Sequence, residues 1–261
     1  GDSLGKHMSS PELQPLISRS LKRFTEAVPR LVDEHSGFLI YAGGDDVLAL
    51  LPLDTTLPCA AAIRQSYLDA FDGSGIPATI SAAVEFVHIK RPLNRVLNHA
   101  HHLLDDVAKE GRGRDAIAVR VTKPGGEHLV WAQPWKIALD DAGQPVVGAL
   151  AARFAEESRL SEGFSSKFFY RIRERFALME GTKAAPPLPE PVQRALLATD
   201  YLNSAENRSR LSFAEAEASI AELLRQCTPH RRNPDDGSIT SEGRIAVDGA
   251  LLVRFLATKG K

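Results

Sequence analysis

A short acidic turn between two apolar runs constrains this chain more than any other feature. The stretch from Tyr41 to Pro52 reads YAGGDDVLALLP, and the apolar run before the turn begins at Phe38. Two glycines and two aspartates between strand-like runs predict a β-hairpin with paired carboxylates at its tip. Adjacent carboxylates repel each other unless a cation neutralises them, and oxygen ligands favour Mg²⁺ or Mn²⁺. An ordinary acidic turn is the alternative, since Gly and Asp are common turn residues.

The composition is typical of a soluble globular protein. Of the 261 residues, 43% are hydrophobic and 25% are charged, and the formal net charge is -1. This balance provides no overall basic field for nucleic acid, so any such contact needs a local patch or a partner subunit. The two cysteines, Cys59 and Cys227, show no ligand spacing, which fits a reducing cytoplasm. We find no signal peptide and no apolar run of membrane-spanning length, and therefore expect a cytoplasmic protein without a membrane partner.

Hydrophobic periodicity predicts a mixed α+β segment followed by helices. The predicted order up to Lys123 is helix, strand, strand, helix, strand, helix, strand. This is the order of a ferredoxin-like palm domain that lacks its first strand, which suggests a chain truncated just before Gly1. The alternative is that Gly1 to Met8 is a purification-tag remnant. We predict a palm domain over residues 1–135 and an all-helical domain over 136–261, with a polar loop at 229–243.

The palm pattern with a Gly-Gly-acid-acid hairpin resembles the nucleotide cyclase and polymerase palm group, which includes the diguanylate (GGDEF) cyclases. Several further segments narrow the resemblance: GDSLGK at 1–6, FLIYAGGDDVLALLP at 38–52, ATISAA at 78–83, GRDA at 113–116 and ALLVRFL at 250–256. Together they resemble the large subunit of type III CRISPR effector complexes, specifically its Cmr branch. The resemblance covers nearly the whole chain, as the second palm plus the C-terminal helical domain.

The resemblance implies an enzyme that converts ATP to cyclic oligoadenylate when its complex engages a matching target RNA. The implied partners are the other effector subunits, crRNA, target RNA and the missing amino-terminal part of the same subunit. That missing part includes a first palm that supplies half of a composite nucleotide site, so this fragment is expected to be inactive alone.

Two alternatives to this function stay open. One is an inert scaffold piece that binds other subunits and crRNA, and the other is a free-standing diguanylate-type cyclase. The helical C-terminal part speaks against the cyclase. So does Val47, because diguanylate cyclases usually carry Phe after the two acids.

The resemblance also implies which residues form the site. Asp45 and Asp46 are the expected catalytic metal ligands, joined by Asp2 at the neighbouring strand end. Gly43 and Gly44 allow the backbone to approach a nucleotide closely. The other expected nucleotide contacts are hydroxyls and cations near turns and helix ends, each of which also has a purely structural reading: Ser3, Lys6, Ser81, Lys109 and Arg114.

One phosphate contact has two candidates. The segment after Lys109 reads EGRGRDA, slightly longer than the usual spacing, so either Arg112 or Arg114 is the phosphate ligand. The position of Gly113-Arg114-Asp115-Ala116 directly before a strand favours Arg114.

Overall fold

The structure is a computed structural model that describes residues 10–123, 125, 128–160, 164–179, 188–203 and 212–259. Its first half contains α1 (Gln14–Glu34), β1 (Phe38–Gly43), β2 (Asp46–Leu50), α2 (Leu53–Phe71), β3 (Ala82–Phe86), α3 (Leu93–His102), a π-helix (Leu103–Gly111), β4 (Ala116–Thr122) and β5 (His128–Pro134). Its second half contains α4 (Trp135–Ala138), α5 (Val146–Leu160), α6 (Phe164–Met179), α7 (Glu190–Asn203), α8 (Phe213–Cys227), β6 (His230–Arg232), β7 (Ile239–Ser241) and α9 (Asp248–Lys259). The predicted element order up to Lys123, which ends with β4, and the mixed α+β class are confirmed.

The strands of the first half form two small sheets rather than one. β1 pairs antiparallel with β2, whereas β3 pairs parallel with β4, and β4 pairs antiparallel with β5. Within the described residues, β2 and β3 each have one edge without a strand partner. A cleft of about 2250 Å³ is lined by both of these strands. β3 begins at Ala82, which pairs with Ile117 of β4.

Helices α1 and α2 cover one face of the β1–β2 hairpin. Phe24 of α1 and Tyr67 of α2 meet edge to face, with ring centroids 5.0 Å apart. Five hairpin residues pack against this helical core: Leu39, Ala42, Val47, Ala49 and Leu51. Tyr41, Leu48 and Leu50 line the cleft, together with Val47, Ala49 and Leu51. Tyr41 and Leu50 are 56% and 54% exposed, so the hairpin presents an apolar surface to the cleft.

The β3–β4–β5 sheet is covered on both faces. On one face, the π-helix packs Leu103 and Ala108 against small residues of the strands, including Ala118. The other face carries Val119 and Trp131, and its core continues without interruption into the helices of the second half. This shared core crosses the predicted domain boundary after residue 135, and the boundary itself stays a prediction. No helix in the described ranges is both long and apolar enough to cross a bilayer.

The prediction of a loop at 229–243 within an all-helical domain is wrong. His230–Arg232 and Ile239–Ser241 pair antiparallel as a short hairpin. Gly237 has a φ of +71° in the segment that joins the two strands, a conformation that glycine adopts without steric cost. The hairpin also pairs outside itself, because Arg232 N donates to Arg112 O at 2.9 Å. Hydrophobic patterning does not predict these strands, because they are short, charged and bury few side chains.

Glu85 places a buried carboxyl on β3. Its side chain is 4% exposed, and among the described residues neither carboxyl oxygen has a hydrogen-bond partner. The Nη1 atom of Arg120 lies 3.5 Å from Glu85 Oε1. Burial raises the pKa of Glu85 to about 7, although the positive charges of Arg120 and Arg91 work in the opposite direction.

We expect this carboxyl to make the stability of the chain depend on pH. The folded chain holds the Glu85 proton up to a pKa of about 7, whereas the unfolded chain releases it near the ordinary Glu value. Stability from the neutral carboxyl is therefore complete below about pH 4.5, and is lost as pH rises through 7 by on the order of 2 kcal/mol. Urea unfolding of Glu85→Gln across this range should show a shallower fall. Glu26→Gln on the exposed face of α1 is the control, and equal pH slopes for Glu85→Gln and wild type would contradict the expectation.

Candidate functional site

The tip of the β1–β2 hairpin is a two-residue turn. Gly43 pairs with Asp46, which leaves Gly44 and Asp45 as the turn residues. Gly44 has a φ of +63°, as the first residue of a type II′ turn requires. A Cβ atom added at Gly44 would meet no atom within 4 Å, so the turn backbone is open to an approaching ligand. The predicted hairpin with carboxylates at its tip is confirmed.

Two helical residues interact with this turn. Thr25 Oγ1 of α1 donates to Gly44 O at 3.3 Å. Tyr67 of α2 is fully buried, and both its burial and the negative charge of Asp45 raise the pKa of its hydroxyl. Sequence reasoning missed both residues, because the contacts join separate helices to the turn and neither residue belongs to a motif.

Both tip carboxylates reach the same cleft. Asp45 is half-buried and Asp46 is exposed, and both line the cleft between the two sheets. Adjacent residues of a straight strand would point to opposite faces, but Asp45 lies in the turn and only Asp46 belongs to β2. Burial works to raise the pKa of Asp45, whereas a hydrogen bond from its own backbone and the positive charge of Lys109 lower it. Asp45 is therefore anionic at neutral pH.

Two further predicted residues line this cleft. Ser81 directly precedes β3, and the preceding carbonyl, Ile80 O, accepts a hydrogen bond from Trp135 Nε1 at 3.0 Å. Lys109 lies near the end of the π-helix, where its Nζ atom is 2.7 Å from Asp105 Oδ1. The structure thus gathers four predicted residues from three separate segments around one cleft: Asp45, Asp46, Ser81 and Lys109. Gly43 and Gly44 adjoin the two aspartates in the hairpin. The predicted Asp2, Ser3 and Lys6 lie outside the described residues.

The two arginine candidates differ in their surroundings. Arg112 is 12% exposed, and its guanidinium pairs with Glu242 and donates to His230 O at 3.3 Å. Arg114 is 30% exposed, and its Nη2 atom lies 3.7 Å from Glu110 Oε1. Arg112 is therefore committed to a contact with the second half of the chain. Arg114 does not line the cleft, so its phosphate contact stays a prediction.

The turn that carries Arg114 has an uncommon backbone. Gly113, Arg114 and Asp115 have successive φ values of +77°, +65° and +45°. Non-glycine residues rarely adopt positive φ, and such strain persists only where surrounding contacts enforce it. One such contact is a bidentate ion pair, in which Arg64 Nε and Nη2 each lie 3.1 Å from an oxygen of Asp115. Trp135 N also donates to Asp115 O at 2.9 Å.

The cleft suits a cation bound by oxygen atoms and shared with a phosphate. Asp45 and Asp46 provide carboxylates, the turn at Gly44 is open, and Lys109 places positive charge nearby. Within the described residues, no three His, Cys, Asp or Glu side chains gather into a group that could hold a metal. A third carboxylate ligand for the metal would therefore come from outside the described residues, and Asp2 is the predicted one.

Comparison with known proteins finds similarity in the first part of the chain. The model of the second palm domain of Cas10/Cmr2 matches residues 1–118. This part of the chain is similar to that domain. The CRISPR system Cmr subunit Cmr2 of Pyrococcus furiosus is 38% identical over 134 residues, which cover 51% of this chain and 15% of that protein. The corresponding subunit of Saccharolobus solfataricus is 28% identical over 141 residues, which cover 46% of this chain and 13% of that protein.

The Cas10/Cmr2 match coincides with the candidate site. It ends at Ala118 in β4, so it contains every predicted site residue from Asp2 to Arg114. The helices after β5 and the β6–β7 hairpin lie outside it. The chain spans about a seventh of the length of the curated Cmr2 relatives it matches, which have 15% and 13% of their length covered.

Proposed function

We propose that this chain is the second palm and the adjoining C-terminal part of a type III CRISPR effector large subunit. The complete subunit, in its complex with other effector subunits and crRNA, makes cyclic oligoadenylate from ATP when target RNA binds. The observation that carries this proposal is the meeting of Asp45, Asp46 and Lys109 at one cleft, beside an open turn at Gly44, within the part of the chain that is similar to a Cas10/Cmr2 palm.

Oligoadenylate formation would use both the carboxylates and the basic side chains of this cleft. Chain growth requires a ribose hydroxyl to attack an α-phosphate and to expel pyrophosphate. Mg²⁺ or Mn²⁺, when bound, stabilises negative charge on the attacking and leaving oxygens. Asp45 and Asp46, with Asp2, are the proposed ligands of these cations. Triphosphate oxygens and a nucleotide hydroxyl contact the remaining predicted residues: Ser3, Lys6, Ser81, Lys109 and Arg114, with close approach at Gly43 and Gly44.

We further propose that a strand preceding Gly1 in the full-length subunit fills the cleft and completes a ferredoxin-like palm. Three observations support this. In the part of the chain that the structure describes, β2 and β3 each have an edge without a strand partner, and both strands line the cleft. Tyr41 and Leu50 expose apolar surface there. The buried carboxyl of Glu85, on the same cleft, has no hydrogen-bond partner among the described residues. Without that strand and the first palm, we expect the 261-residue chain to be inactive.

Hydrogen exchange tests the missing strand. Backbone amides along the open edges of β2 and β3 should exchange at least about tenfold more slowly in the full-length subunit than in this chain, because pairing protects them. The amides that join β4 to β5 are the control, since these strands are already paired in this chain. Equal exchange of the β2 and β3 edges in both proteins would contradict the proposed topology.

A product assay separates the candidate functions. The assembled complex, crRNA, target RNA and Mg²⁺ are incubated with labelled ATP or labelled GTP. Oligoadenylate that forms only with target RNA supports the proposal. A product from GTP alone would instead indicate a diguanylate-type cyclase. No product from either nucleotide, with RNA binding intact, would indicate a scaffold piece.

A further inference from the structure

The β6–β7 hairpin of the second half packs closely against the strained turn after the π-helix, at residues 112–115. Arg232 N of β6 donates to Arg112 O at 2.9 Å, so the turn and the hairpin share a backbone hydrogen bond. Gly113 packs so closely on the hairpin that a Cβ atom added there would lie 1.7 Å from Arg232 O. Such close approach of two backbones excludes any side chain at this position.

An ion pair adds to this contact between the hairpin and the turn. The Arg112 guanidinium pairs with Glu242, which follows β7, and donates to His230 O of β6 at 3.3 Å. The Arg112 side chain is 12% exposed and that of Glu242 is 30% exposed, so solvent screens the pair only in part. Arg244 Nε lies 2.9 Å from the other oxygen of Glu242 and orients the carboxylate.

The hairpin is in turn anchored to the sheet of the palm. Gln133 of β5 is 1% exposed, and its Nε2 atom donates to Thr228 O at 2.8 Å. The other side-chain atom, Gln133 Oε1, accepts from His230 N at 3.2 Å. The hairpin is therefore fixed to β5 on one side and to the turn on the other, and it sets where the turn lies relative to the sheet.

We propose that the Arg112–Glu242 pair positions the phosphate-binding turn, so that Arg112 and Glu242 are positioning residues for nucleotide binding. The inference rests on the proposed function, because it assumes that Lys109 and Arg114 contact the triphosphate. Gly113 N and Arg114 N both donate to Lys109 O at 3.0 Å, so a shift of the turn moves both cations together. A second consequence is that any partner that displaces the hairpin weakens nucleotide binding from outside the cleft.

The test compares ATP kinetics of assembled complexes that carry Arg112→Ala or Glu242→Gln in the full-length subunit. The cations bind the triphosphate in the ground state and in the transition state alike. A displaced turn should therefore raise the KM for ATP about tenfold with kcat within about twofold of wild type. The charge-reversed double variant Arg112→Glu/Glu242→Arg should recover part of the lost affinity. Arg175→Ala, which removes an ion pair to Asp200 on α7, is the matched control.

A KM within about twofold of wild type in both Arg112→Ala and Glu242→Gln would overturn the inference. Hydrogen exchange supplies an independent readout that needs no activity: the amides of residues 111–115 should exchange faster in Glu242→Gln than in wild type. If the wild-type complex makes no oligoadenylate, the proposed function fails, and this exchange measurement still decides whether the pair holds the turn. Unchanged exchange at 111–115 would overturn the inference by itself.

Discussion

Asp45→Asn should slow oligoadenylate formation by the assembled complex about a thousandfold, equivalent to about 4 kcal/mol of transition-state stabilisation. Asn keeps the size of the side chain and one oxygen but removes the negative charge that a divalent cation needs. Asp46→Asn should have an effect of the same order, because both carboxylates line the cleft at the hairpin tip. Initial rates with labelled ATP at saturating target RNA measure both variants.

The control for this pair of variants is Asp72→Asn. Asp72 is an exposed carboxylate after α2, outside the residues that line the cleft, and its loss should leave the rate within about twofold of wild type. Rates of the variants are also measured with Mn²⁺ in place of Mg²⁺. Loss of a metal ligand should change how the rate depends on the metal. Rates of both Asn variants within a few-fold of wild type would contradict the assignment of these carboxylates as metal ligands.

Gly113→Ala should lower the free energy of unfolding of the 261-residue chain by about 3 kcal/mol or more. The added Cβ would lie 1.7 Å from Arg232 O, a backbone atom that moves only if the β6–β7 hairpin moves. The φ of +77° adds conformational strain of about 1 kcal/mol for any residue with a Cβ atom. Urea unfolding followed by circular dichroism measures the loss.

Gly143→Ala provides a control matched in backbone conformation. Gly143 has a φ of +74°, but a Cβ atom there would meet nothing within 4 Å. Its substitution should therefore cost only the strain of about 1 kcal/mol. The difference between the two variants isolates the contact between Gly113 and the hairpin. Equal losses of stability in both variants would show that the hairpin does not hold the turn closely in solution.

The features that sequence analysis predicted correctly are those with a local signal. The glycines and aspartates of the hairpin tip lie between two apolar runs, and the β1–β2 pairing follows from that pattern. The helices and the strand β4 follow from hydrophobic periodicity. Ser81 and Lys109 line the cleft, whereas their contacts with a nucleotide stay predictions.

The features that sequence analysis missed depend on contacts between distant positions. Arg112 and Glu242 are 130 residues apart, and Arg64 and Asp115 are 51 residues apart. Neither pair has a sequence spacing that would reveal it. The β6–β7 hairpin is short and charged, so its strands carry no alternating apolar pattern. The sequence also does not predict the positive φ values of Arg114 and Asp115, because tertiary contacts rather than residue type enforce them.

Nucleotide-dependent Mn²⁺ binding tests most directly whether the hairpin tip is a metal-dependent ATP site. Electron paramagnetic resonance would measure Mn²⁺ bound to the assembled complex with target RNA, with and without a non-hydrolysable ATP analogue. We expect the analogue to add bound Mn²⁺ in the wild type, and we expect this addition to disappear in Asp45→Asn/Asp46→Asn. The same added Mn²⁺ in wild type and in the double variant would contradict the proposed function.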